Sequence, residues 1–245
     1  MDRMLYVAMS GARQIMLAQA ANSNNLANVS TSGFRADLSQ FRSQPVFGNG
    51  YPTRVYAMAE RPGVDFKPGI NEATGRDLDV AIKGKGWIAV QDQTGKEAYT
   101  RDGSLRITAN GLLQTSQGGL VIGNTGPIAI PPAEKIEIAH DGTISIQPKG
   151  QGPETLAVLD RIKLVNPSEA NLQKGPDGLM RTASGIQPPD AAVQLRKGVL
   201  EHSNVSAVGA LVRMIELSRQ YEMNIKMMSA ARDMEQQNAR MLALA

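Results

Sequence analysis

The chain has 245 residues, of which 42% are hydrophobic and only 4% aromatic. That is enough apolar material for a buried core, but few of the rings on which proteins stack bases or sugars. The 26 basic and 23 acidic residues leave a formal charge of +3 without any Lys/Arg block, which argues against a nucleic-acid partner, and the absence of cysteine excludes disulfides and thiolate metal sites.

Met1-Asp2-Arg3-Met4 is not followed by the unbroken apolar stretch of a cleavable signal peptide. Residues 1–28 instead predict a helix, a rod of about 40 Å. Leu5, Met9, Ala12, Met16, Gln19, Ser23 and Leu26 alternate at spacings of four and three, the a/d seam of a coiled coil, with Ile15 widening it. No residue from Gln14 to Phe34 is charged, yet Gln14, Gln19, Asn22, Asn24, Asn25 and Asn28 are too polar for a membrane span, so no membrane insertion is expected. An uncharged, amide-rich helix suits protein neighbours. Asn28-Val29-Ser30-Thr31-Ser32-Gly33 then stops it, because Asn and Gly accept left-handed backbone and Ser and Thr bond their own main chain.

Residues 35–76 are broken by Pro45, Gly48, Gly50, Pro52, Pro62, Gly63, Pro68 and Gly69 and predict extended chain with short strands. Residues 77–186 predict an antiparallel β domain, with turn signals every 8–12 residues or so. Leu78, Val80 and Ile82 alternate, Trp87-Ile88-Ala89-Val90 follows Gly84-Lys85-Gly86, and Asn110-Gly111 offers positive φ angles for a tight hairpin between Leu105-Arg106-Ile107 and Leu112-Leu113. Ile136, Ile138, Ile144 and Ile146 flank a second turn at His140-Asp141-Gly142. Residues 187–205 lead back to a last helix over about 207–243, for which Ser206 is the candidate N-cap. On it Leu211, Met214, Ile215, Ser218, Tyr221, Ile225, Met228 and Arg232 share one face, joined later by Ala239 and Leu242.

No catalytic constellation emerges. His140 and His202 lack acidic partners at ligand spacing, so no metal or other cofactor is expected. Gly84-Lys85-Gly86 has no following helix to hold a phosphate and predicts a hairpin turn. Asp77 and Asp79 read as one polar strand face. The Asn22-Ser23-Asn24-Asn25-Leu26-Ala27-Asn28 cluster exceeds what a frayed helix end requires, and buried amides there would fix register between subunits.

Asn24-Asn25-Leu26-Ala27-Asn28 with Thr31-Ser32-Gly33-Phe34-Arg35 resembles the N-terminal signature of the bacterial flagellar rod and hook family. Gly198-Val199-Leu200-Glu201-His202-Ser203-Asn204-Val205, then Met214-Ile215 and Arg219-Gln220-Tyr221-Glu222, is similar to the matching C-terminal signature. Leu78-Asp79-Val80-Ala81-Ile82, Gly86-Trp87, Tyr99-Thr100-Arg101-Asp102-Gly103 and Gly111-Leu112-Leu113 resemble the shared β module. Within the family the opening Met1 to Tyr6, Trp87 and the modest length point to the proximal rod branch, with the distal rod branch as the nearest alternative. Ser206 stands where the family often has an acidic residue, and both cap helices.

The resemblance implies a structural, non-enzymatic subunit. It would be exported unfolded by the flagellar type III apparatus without cleavage and assembled in the periplasm with other rod subunits, proximal and distal, to transmit torque. The expected fold is α+β: a β-rich outer domain over 77–186, a discontinuous helical polymerisation domain over 1–34 and 206–245, and extended connections over 35–76 and 187–205. Leu5, Met9, Met16, Asn24, Asn25, Leu26, Asn28, Leu211, Ile215, Tyr221, Ile225 and Met228 are the residues expected at the subunit interface. A cell-wall carbohydrate-binding module with coiled-coil ends is the alternative from another class, disfavoured by the small aromatic supply.

Overall fold

The computed structural model describes residues 3–45, 55–60, 63–148, 150 and 156–243. The chain forms two compact units. Residues 1–27, 37–63 and 205–245 make the first, and residues 28–36 and 64–204 the second. The segment 35–76, read from the sequence as one connection, is thus shared between them. The breakers Gly48, Gly50, Pro52 and Pro62 and the side chain of Leu242 lie outside the described residues.

The first unit contains α1 (Arg3–Ala27), a hairpin of β1 (Gln40–Pro45) and β2 (Val55–Glu60), and α2 (Ala207–Ala243). Ser206 caps α2 as expected: its Oγ accepts from Gly209 N at 3.2 Å, satisfying one of the amides that a helix start leaves unbonded. The helices run antiparallel, because Asn22 Nδ2 donates to Ala210 O at 2.8 Å while Gly11 faces Asn224. The α1 side of their shared seam is mostly alanine. Ala8, Ala12, Ile15, Ala18 and Ala21 of α1 are buried, with Ala210, Leu217 and Ala231 of α2, and Met214, Tyr221, Asn224 and Met228 fill the half-buried positions between.

This corrects the seam read from the sequence. Met9 and Met16 point away from α2 and are more than half exposed, and Leu211, Ile215 and Ile225 are exposed as well. Small side chains win the contact because they let the helix axes approach. A Cβ added to Gly11 would already lie 2.9 Å from Asn224 Oδ1.

The strands of the second unit all pair antiparallel, and a short 3-10 helix, Glu169–Asn171, interrupts them. It comprises β3 (Asn71–Ala73), β4 (Val80–Lys83), β5 (Trp87–Gln91), β6 (Glu97–Thr100), β7 (Leu105–Ile107), β8 (Leu113–Thr115), β9 (Leu120–Val121), β10 (Ala133–Ile138), β11 (Thr143–Pro148), β12 (Ala157–Arg161), β13 (Leu164–Val165), β14 (Leu172–Lys174), β15 (Met180–Thr182), β16 (Gln194–Lys197) and β17 (Val199–Glu201). An eight-stranded sheet runs β14-β15-β6-β5-β9-β8-β7, with β13 also on β5; β10-β11-β12 form a second sheet, and β16-β4 and β17-β3 form two ribbons. Strand β5 is covered on both faces. Ile88 and Val90 join Leu105, Leu113, Ile138, Ile144 and Ile146 in the main core, while Trp87 and Ala89 pack with Tyr99, Val165 and Met180 on the other side. Each fully buried aliphatic there contributes roughly 1.5–3 kcal/mol.

Three local expectations change. The Asn110-Gly111 turn exists, but only Gly111 has positive φ (+79°); Gly111 N donates to Thr108 O at 2.9 Å, so the loop is a type I turn closed by a left-handed glycine. Gly84-Lys85-Gly86 is not a hairpin turn, because β4 pairs with β16 and β5 with β6, β9 and β13. Asp79 is buried and bound by Thr74 Oγ1 at 2.7 Å and Arg76 Nε at 2.9 Å, whereas Asp77 is exposed, so the two do not share a polar face.

Candidate assembly surface

With the small-residue seam used inside the chain, larger apolar side chains remain on the outside of the helix pair. Tyr6, Met9, Met16 and Leu17 of α1 are exposed, as are Val208, Leu211, Val212, Ile215, Met223, Ile225, Met227, Met234 and Met241 of α2. Single exposed apolar residues are ordinary, but this many on two neighbouring helices make a candidate interaction surface. Beyond Ala231, the last buried position of α2 among the described side chains, the helix continues for about three more turns. A groove of about 520 Å³, lined by Leu17, Ala18, Ala20, Ala21, Asn24, Ser39 and Glu60, lies between α1 and the hairpin.

Of the residues expected at the interface, Met9, Met16, Asn24, Leu211, Ile215 and Ile225 are exposed on this unit. Leu5, Leu26, Tyr221 and Met228 are half-buried, Tyr221 against the cluster of Ile15, Ala18 and Leu217. Asn25 is engaged within the chain. Its Nδ2 donates to Asp37 O at 2.9 Å and its Oδ1 accepts from Asp37 N at 2.8 Å, so one amide side chain completes both main-chain groups of a residue twelve positions on. Asn28, in the second unit, accepts from Thr31 Oγ1 at 3.1 Å in the turn that ends the helical path.

The second unit holds a polar node that the sequence did not disclose. Glu201 is buried. Its Oε1 accepts from Arg35 Nη2 at 2.5 Å and from Gly69 N at 2.9 Å, its Oε2 from Arg101 Nη1 at 2.9 Å, and its main-chain O from Gly33 N at 2.7 Å. Arg101 also donates through Nε to Gly86 O at 3.1 Å and through Nη2 to Gly84 O, which explains the path of that loop, and its guanidinium stacks 5.5 Å from the Trp87 centroid. Desolvation pulls the Arg35 guanidinium below its ordinary pKa against the attraction of Glu201, and the neighbouring Arg101 charge adds to the lowering.

Backbone meets backbone around this node. A Cβ on Gly33 would lie 2.2 Å from the Arg101 carbonyl carbon, one on Gly69 1.9 Å from His202 O, and one on Gly103 1.6 Å from Val80 O. Asn204 completes the arrangement, accepting from Ala36 N at 2.8 Å and donating to Asp65 O at 2.8 Å. Arg35, Arg101, Glu201 and Asn204 all fall in the sequence blocks that carry the family resemblance. Their joint burial, the signal that matters, is a property of the folded chain alone.

The two histidines have structural partners: His140 Nδ1 lies 3.0 Å from Leu195 O and His202 Nε2 2.5 Å from Glu72 Oε2. Trp87, the single tryptophan, is buried edge-on to Phe66 and beneath Arg101, so it offers no open face to a sugar. Among the described residues no group of His, Asp and Glu could hold a metal ion, and no helix is long and apolar enough to cross a membrane.

Three family models match in chain order: "Flagella basal body rod protein" over residues 5–35, "Flagellar hook protein FlgE/F/G D1 domain" over 81–146, and "Flagellar basal body rod FlgEFG protein C-terminal" over 196–241. The flagellar basal-body rod protein FlgF of Escherichia coli is 43% identical over 240 residues, covering 95% of both chains. FlgF of Salmonella typhimurium is 40% identical over the whole of both chains. The flagellar basal-body rod protein FlgG of Borreliella burgdorferi is 32% identical over 96% of both chains.

Proposed function

Because this chain belongs to the flagellar basal-body rod protein family, we propose that its paired terminal helices are the surface through which it polymerises. It is a structural subunit of the rod, a periplasmic part of the basal body, and it assembles with other rod subunits after delivery by the flagellar export apparatus. The higher identity to the FlgF relatives than to the FlgG relative supports a place in the proximal rod, with proximal and distal rod proteins as neighbours. Order of incorporation in isolated basal bodies separates the two positions.

The observation that carries the reading is the exposed apolar surface on both helices, beside a seam already satisfied within the chain. Burying each such side chain against a neighbour contributes roughly 1.5–3 kcal/mol, so a handful of them meets the cost of association. Leu5, Met9, Met16, Asn24, Leu26, Leu211, Ile215, Tyr221, Ile225 and Met228, with the Asn25 and Asn28 turn region, form the proposed contact set. A helix pair with so much uncovered apolar surface is weakly held in dilute solution, and we place the final ordering of both helices at the moment of docking.

The test is sedimentation of the purified chain across a concentration series. Leu211→Glu with Ile215→Glu abolishes concentration-dependent association and leaves Trp87 fluorescence unfolding unchanged. Unaltered association in that double variant removes the helix surface as the assembly site.

A further inference from the structure

The chain has no thiol, so its only sulfur is thioether, and nine of its twelve methionines lie in α1 and α2. Six of the nine are exposed: Met9, Met16, Met223, Met227, Met234 and Met241. They are ordered along the helices, with Met9 and Met16 seven residues apart on α1, and Met227, Met234 and Met241 repeating every seven on α2. A seven-residue repeat keeps side chains on one stripe. In the second unit the only methionine, Met180, is 2% exposed in the core beside Tyr99 and Trp87. Oxidisable, accessible sulfur is thereby concentrated on the helices and withheld from the β-rich body.

We infer that these six methionines form a reversible oxidation site that switches off subunit association. The inference rests on the assembly reading above. A thioether sulfur attacks one oxygen of a hydroperoxide; an S–O bond forms as the O–O bond breaks, the sulfur loses two electrons, and the second oxygen leaves as water when hydrogen peroxide is the oxidant. The sulfoxide replaces a flexible apolar group by a strong acceptor. On the apolar helix surface, docking buries that acceptor without a matching donor, and the contact is disfavoured. In this inference Met223, Met227, Met234 and Met241 extend the proposed contact set along α2; docking then covers the same six sulfurs, so the switch acts on free subunits and spares assembled ones. Sulfoxide reduction returns the original surface.

The experiment uses the full chain, treated with dilute hydrogen peroxide and compared with a variant carrying leucine at all six positions. Leucine keeps the apolar volume and cannot be oxidised. Peptide mass spectrometry should find one added oxygen at the six sulfurs and none at Met180. By sedimentation, oxidised wild type should need about tenfold more protein or beyond to associate than untreated wild type, the treated leucine variant should associate at the same concentration as its own untreated form, and methionine sulfoxide reductases should restore association of the oxidised wild type. Oxidised wild type that associates at the untreated concentration overturns the inference, as does equal impairment of the treated leucine variant. Untreated wild type that fails to associate at any concentration overturns the assembly reading itself, and the inference with it.

Discussion

Glu201→Ala removes the carboxylate that two buried guanidinium groups share. Arg35, Arg101 and Glu201 are nearly solvent-free, with side-chain exposures of 1%, 7% and 2%. Deleting the acid leaves two like charges buried together, and it also strips Gly69 N of its acceptor. Breaking a buried pair in this way costs about 3–5 kcal/mol. For a unit of roughly 150 residues, each kcal/mol moves the midpoint by about 2–4 °C, so the midpoint falls by about 6–20 °C. Arg35→Ala breaks the same ion pair yet costs less, about 1–3 kcal/mol. It leaves Arg101 and Glu201 as a matched pair and releases a guanidinium whose Nε and Nη1 make no hydrogen bond. Trp87 sits under Arg101 within the same unit, so its fluorescence during thermal unfolding reports on this node separately from the helices. An Arg35→Ala loss equal to or larger than that of Glu201→Ala would refute the charge-balance reasoning.

Gly103→Ala puts a methyl 1.6 Å from Val80 O, where the main chain itself must move; a loss of about 4 kcal/mol or an unfolded second unit is expected, read by the same Trp87 signal. Asn25→Ala frees both main-chain groups of Asp37, so the Asp37 amide should exchange hydrogen faster, with a local cost of about 1–3 kcal/mol; unchanged exchange at Asp37 would contradict the bonding described. Arg181, bonded to Asp92 at 2.6 Å and Asp177 at 2.6 Å, holds both carboxyls below the usual carboxylate range. Their folded-state values lie below the unfolded ones, so this contribution is fully present above about pH 4 and is lost as the pH falls through the lowered values. Arg181→Met should therefore flatten the acid limb of a stability-against-pH curve while changing its slope near neutrality little.

The helical ends, the capping serine, the turns closed by Gly111 and Gly142 and the β-rich middle were legible in the chain, because each depends on residues near one another, whereas the role of Gly84 and Gly86 was not. Heptad spacing needs only side-chain polarity, Ser206 needs only its own hydroxyl and the amide three residues on, and Gly111 needs only freedom at φ. The order of the three family blocks is likewise written in the sequence. Which stripe of each helix the chain uses internally was not legible. On α1 two adjacent stripes satisfy the same spacing, one mostly of alanine and one of methionine and leucine; on α2 the inward face mixes Ala210, Leu217 and Ala231 with Met214, Tyr221 and Met228, while Leu211, Ile215 and Ile225 lie outside it. Only packing the two helices against each other shows that the small stripe of α1 permits the close approach and leaves Met9 and Met16 outside. The same limit hid the node at Glu201. Arg35, Arg101 and Glu201 lie at separations of 66 and 100 residues, and a charge declares its partner only when burial removes water as an alternative. Local periodicity and turn chemistry are properties of the chain itself. Face selection and charge burial arise from long-range contact, and only the tertiary structure could decide them.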